Sequence, residues 1–97
     1  MNAERADAYR RVMHTLRELG PSKLLASEQD VIRSAADNLL FSREVRGDQA
    51  AHEALRVVEL LCRALVDSGR WTEPTAARLA DDVAGCGPEL LPQLRAA

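Results

Sequence analysis

Glycine and proline partition this chain more sharply than any other signal. They fall at Gly20-Pro21, Gly47, Gly69, Pro74, Gly85, Gly87-Pro88 and Pro92, leaving four long stretches free of both. A helix interior excludes proline by about 3 kcal/mol and penalises glycine by about 1, so each clean stretch is a helix candidate. Composition points the same way. There are 16 Ala and 14 Leu against seven Val and one Ile; straight-chain and small residues lose little freedom in a helix, whereas β-branched residues favour strands. The expected fold is all-α, a compact four-helix bundle with short connections and a short C-terminal helical tail.

Periodicity fills in the elements. Over 3–19, Ala6, Tyr9, Val12, Met13, Leu16 and Leu19 form one stripe at helical spacing. Gly20 is expected at the left-handed C-cap position, with Pro21 preventing continuation. Ser27 can cap a second helix over about 28–41, with Asp30 completing a weak capping box. Val31, Ile32, Ala35, Ala36, Leu39 and Leu40 share its apolar face. Asp48 is expected to cap the longest helix, 49–68, running to Gly69 over roughly 30 Å. Its apolar arc (Ala50, Ala51, Ala54, Leu55, Val57, Val58, Leu61, Cys62, Leu65, Val66) covers more than half the circumference. Such a helix is expected at the centre of the bundle, packed from at least two sides. Thr72 caps a fourth helix over 73–84, with Pro74 in its first turn. A short tail helix is expected at 89–95. With 97 residues, roughly 65% of the extended-chain surface can be buried, enough for one core, so 1–97 reads as a single helical domain.

Charge narrows the function classes. The net charge is −2, from 13 basic and 15 acidic groups, without the basic excess of a nucleic-acid binder or membrane-surface helix. Arg outnumbers Lys twelve to one, which with the abundant alanine reads as the codon bias of a GC-rich bacterial genome. The polar N-terminus has no signal-peptide core, and no apolar run approaches the roughly 20 residues of a membrane span. A cytoplasmic protein is expected.

Reactive constellations are absent from the sequence. His52 and Cys62 lie ten residues apart on one helix, about 15 Å by its rise, and cannot share an ion within one chain. His52-Glu53-Ala54-Leu55-Arg56 opens like a zincin motif but ends in arginine and lacks the second ligand. Cys62 lies in an apolar arc, where a thiol acts as a small hydrophobe. Cys86, between two glycines, is the more exposed thiol but has no local base to activate it. No P-loop, nucleophile elbow or dinucleotide-binding glycine pattern occurs. The chain is therefore expected to be non-enzymatic and to need no metal or cofactor.

Two groups of residues remain as binding candidates. Arg10, His14 and Arg17 cluster on the polar face of the first helix, an arrangement suited to an anion or an acidic partner. Asp7 and Glu18 at i,i+3 and i,i+4 spacing offer the plainer account, local ion pairs on a solvated face. The other group is the large apolar side chains off their expected faces: Phe41, Leu60 and Trp71. Bulky anchors of this kind mark interaction surfaces, although Trp71 can instead staple onto Ala76 or Ala77 at the helix start. The leading expectation is a small protein-interaction module (adaptor, regulator or accessory subunit) that binds a protein partner or itself through an exposed helix face. The alternative is a small helical DNA-binding regulator, with Arg43 and Arg46 beside the long helix; the acidic net charge weighs against it.

Overall fold

The computed structural model describes residues 3–42 and 49–87. They form four α-helices: α1 (Ala3–Lys23), α2 (Ala26–Leu40), α3 (Gln49–Asp67) and α4 (Glu73–Gly85). No strand occurs among the described residues, and the all-α bundle expected from composition is the fold observed. No described helix is long and apolar enough to cross a membrane. Asp48, Arg43, Arg46 and the tail helix expected at 89–95 lie outside the described residues.

The helices sit at the corners of a square. α1 and α3 each pack chiefly against α2 and α4, and α2 and α4 touch across the diagonal. Contacts at the two ends fix the directions. Arg5, in the first turn of α1, reaches the carbonyls of Leu39 and Leu40 at the end of α2 and of Cys86 just past α4. At the opposite end the Trp71 indole N–H, between α3 and α4, donates to the Lys23 carbonyl closing α1. Neighbouring helices are therefore antiparallel around the ring. The central place expected for α3 goes instead to the α2–α4 diagonal, and α3 occupies a corner. Between the helices Val12, Ile32, Leu39, Val58, Leu65, Leu79 and Val83 are all less than 2% exposed, each burial contributing about 1.5–3 kcal/mol.

Helix ends follow local chemistry, in two places against expectation. α1 does not stop at Gly20 but continues through Gly20-Pro21 to Lys23. Gly20 keeps a negative φ and serves close approach instead: a Cβ there would lie 2.8 Å from Gln29 Oε1. The Gln29 amide donates to the Gly20 carbonyl at 3.2 Å, tying α1 to α2. The second difference is the start of α2, at Ala26 rather than after Ser27. Glu28, not Asp30, reaches back, accepting from the Leu25 N–H at 2.8 Å and satisfying a donor that the helix start leaves open. The other ends are as expected. Gly69 has φ +79°, and Arg70 N–H donates to Leu65 O while Gly69 N–H donates to Val66 O, the Schellman pattern. Thr72 Oγ1 accepts from Thr75 N–H, with Pro74 in the first turn of α4.

Polar clamps bind the helices to one another. Arg5 donates from Nε to Cys86 O and from Nη2 to Leu39, Leu40 and Ser42 O, all at 2.9 Å. It thereby gathers the carbonyl ends of α2 and α4, which carry partial negative charge. The Tyr9 hydroxyl donates to Asp37 Oδ1 at 2.6 Å, and that bond raises the phenol pKa above its ordinary value. Arg11 Nε meets Asp82 Oδ1 at 2.9 Å, joining α1 to α4. Arg70 grips Glu28 through both Nη groups, holding its carboxyl below the usual value, with help from the Leu25 N–H.

Candidate functional site

The apolar arc of α3 is wider than its neighbours can cover. Ala51, Ala54, Val58, Cys62 and Leu65 are buried. On the side facing α4, Glu59, Cys62, Arg63 and Val66 share a groove of about 420 Å³ with Ala76, Ala77 and Ala80. That flank, by helical spacing, also carries His52 and Arg56 and is strongly charged. The opposite flank, toward α2, holds Ala50, Val57, Leu60, Leu61 and Ala64, and Glu53 is the one charge among them. Val57 is 41% exposed and Leu60 55%. Because α3 stands at a corner, the surplus of its arc faces solvent.

α2 extends this face. Its Gln29 and Asp37 turn toward α1, where they bond Gly20 and Tyr9. The outer edge on the α3 side is then Ser27, Val31, Ser34, Asn38 and Phe41, a helical row without a formal charge. Phe41 is the C-cap residue of α2 and 75% exposed. The antiparallel arrangement places it beside the start of α3. The two rows together carry a single charge, in a chain that is 29% charged. An apolar, nearly neutral face bordered by charge is the surface pattern of a macromolecular contact.

The expected anchors thus divide. Phe41 and Leu60 are exposed on this face. Trp71 is not: it is 5% exposed, with its indole N–H 3.3 Å from Lys23 O. It fastens the α3–α4 connection over the end of α1. Val57, which sequence reading assigned wholly to the core, belongs to the exposed face; the excess width of the α3 arc was the available signal. Cys86 also departs from the sequence expectation. Expected to be the exposed thiol, it is fully buried, with Sγ 3.4 Å from Asp82 O. Burial, and then the Asp82 charge, push its pKa to about 12. Burial likewise moves Cys62 to about 11, with Glu59 adding to the shift. Both thiols are held in the protonated, unreactive form at neutral pH.

Arg10, His14 and Arg17 lie together on the opposite edge of the square. They line an α1–α4 cleft of about 580 Å³ with Asp7, Arg11, Thr15, Arg78 and Asp82. Arg10 pairs with Asp7, and His14 Nε2 lies 3.9 Å from Glu18 Oε1. These are the local pairs expected from spacing. What spacing along α1 did not reveal is the contribution of α4, which brings Arg78 and Asp82 to the same cleft.

Comparison with known protein families, curated proteins and solved structures finds no match to this chain.

Proposed function

We propose that this protein is a non-enzymatic interaction module that acts through the α2/α3 face, and that the face is covered by a second copy of the chain. The observation that carries this reading is the exposed row of Val57, Leu60 and Phe41, on two helix rows that among the described residues carry one carboxylate and no cation. A two-fold contact sets each patch against itself. A charged patch would then oppose like charges, whereas a nearly neutral one brings apolar side chains together without that repulsion. Covering the exposed parts of Val57, Leu60 and Phe41 contributes about 1 kcal/mol per residue in each copy. The deeply buried thiols, both shifted away from the thiolate, fit a role in binding rather than nucleophilic chemistry.

Sedimentation velocity across a range of concentrations tests the proposal. The expected result is a reversible dimer that the V57E/L60E variant converts to a monomer without loss of helicity. A wild-type chain that stays monomeric at every concentration contradicts the reading, as does a dimer indifferent to both substitutions.

A further inference from the structure

The α1–α4 cleft is far from the proposed contact, on the edge of the square opposite α2/α3. Four guanidiniums line it, Arg10, Arg11, Arg17 and Arg78, against two carboxylates, Asp7 and Asp82. Both carboxylates are engaged, Asp7 by Arg10 and Asp82 by Arg11. Arg17 and Arg78 form no ion pair with any described residue. In a protein of net charge −2, the lining of this cleft carries two more guanidiniums than carboxylates, drawn from two different helices.

The geometry also prepares a donor. Asp82, with a side chain only 11% exposed, holds Arg11 through Nε at 2.9 Å. The Arg11 side chain is otherwise 57% exposed, and its Nη groups make no hydrogen bond to a described residue. A guanidinium fixed by a buried carboxylate loses less freedom on binding than a free one.

We infer that this cleft binds a phosphate-chain anion. Three features select that class. The lining residues include no Phe, Tyr, Trp or large aliphatic side chain, so a nucleobase or an apolar side chain gains little apolar contact surface. Arg10, His14 and Arg17 follow i,i+4,i+7 spacing, and the two arginines stand about 10 Å apart along the axis, longer than one phosphate group reaches. The donors are almost entirely guanidiniums, whose fork matches phosphate oxygens in bidentate pairs. The volume, about 580 Å³, suits a ligand of several linked phosphates. The phosphates can come from a free oligophosphate or from the tail of a nucleotide, since the cleft addresses the phosphates alone.

Calorimetric titration of the full chain at low salt with tripolyphosphate, ATP and a tetraglutamate peptide tests the inference. Tripolyphosphate and ATP are both expected to bind, ATP no more than a few-fold differently because its base adds little. The R17Q/R78Q variant is expected to bind tripolyphosphate at least about tenfold more weakly, the loss of one to two charge-assisted contacts. Both side chains are exposed, so stability should change little. Arginine Nε–H resonances of the wild-type protein give a second reading that needs no variant: Arg11, Arg17 and Arg78 should shift on titration while Arg33 and Arg63 stay fixed. Absence of tripolyphosphate binding overturns the inference. So does equal binding by the variant, uniform shifts across all arginines, ATP binding far tighter than tripolyphosphate, or tetraglutamate binding tighter than tripolyphosphate.

Discussion

Replacing Arg5 with methionine keeps most of the side-chain length and removes the clamp across the carbonyl ends of α2 and α4. Among the described residues four carbonyls accept from Arg5, but the three at Leu39, Leu40 and Ser42 share the single nitrogen Nη2. That nitrogen carries two hydrogens, so with Nε these contacts to described residues amount to about three full bonds. Hydrogen bonds to charged groups contribute about 1.5–3 kcal/mol each. Here the site is partly buried and water can reoccupy some of the carbonyls, so about 1 kcal/mol each is the appropriate scale. The R5M variant should therefore lose about 3 kcal/mol, a large share of the 5–15 kcal/mol typical of a domain. Its Tm should fall by about 15 °C. Lysine keeps the charge but not the planar fork that spans two helices, so R5K should recover only about 1 kcal/mol. Urea unfolding followed by circular dichroism measures both. An R5M stability within about 0.5 kcal/mol of wild type, or an R5K variant equal to wild type, refutes the clamp.

Three further outcomes follow from the same structure. Trp71→Ala empties a site that is 5% exposed and should cost about 3–5 kcal/mol; a surface-like cost below 1 kcal/mol in urea unfolding would contradict its burial. Neither Cys62 nor Cys86 should react with a thiol reagent in native buffer at neutral pH, and both should react on unfolding; rapid native labelling of Cys86 would contradict the buried turn. Glu28, held below its ordinary value of 4.5 by Arg70, contributes stability above that value and loses it as pH falls through the lowered folded value. The advantage of wild type over E28Q should accordingly be constant near pH 7 and shrink below about pH 4.5, measured by urea unfolding across pH; an advantage that grows in acid contradicts the assigned partner.

The fold was legible because its signals are local. Gly69 and Thr72 act within a turn of themselves, and α3 and α4 end or begin where those residues predict. Errors arose where a distant partner overrides the local preference. Gly20-Pro21 reads as a helix stop, yet Gln29 of the next helix occupies the space that a Cβ would fill. Arg5 reads as one more charge on a helix; its role depends on helix ends 34 and 81 residues away. The proposed contact face was half visible. Phe41 and Leu60 stood out from their helical stripes, but Val57 required knowing that α3 occupies a corner. Trp71 was ambiguous for the same reason, since only the end of α1 decides whether the indole is covered. The cleft was half visible as well, because the α1 stripe gave Arg10, His14 and Arg17 and nothing in sequence joined them to Arg78.

The most direct measurement of the proposed role is an amide chemical-shift map recorded while the protein is diluted. If a second copy covers the α2/α3 face, resonances of Ser34, Asn38, Phe41, Val57, Leu60 and Ala64 should move together with concentration, while those of Arg10, Arg17 and Arg78 remain still. Concentration-dependent shifts confined to α1 and α4, or none anywhere at concentrations spanning three orders of magnitude, would contradict it.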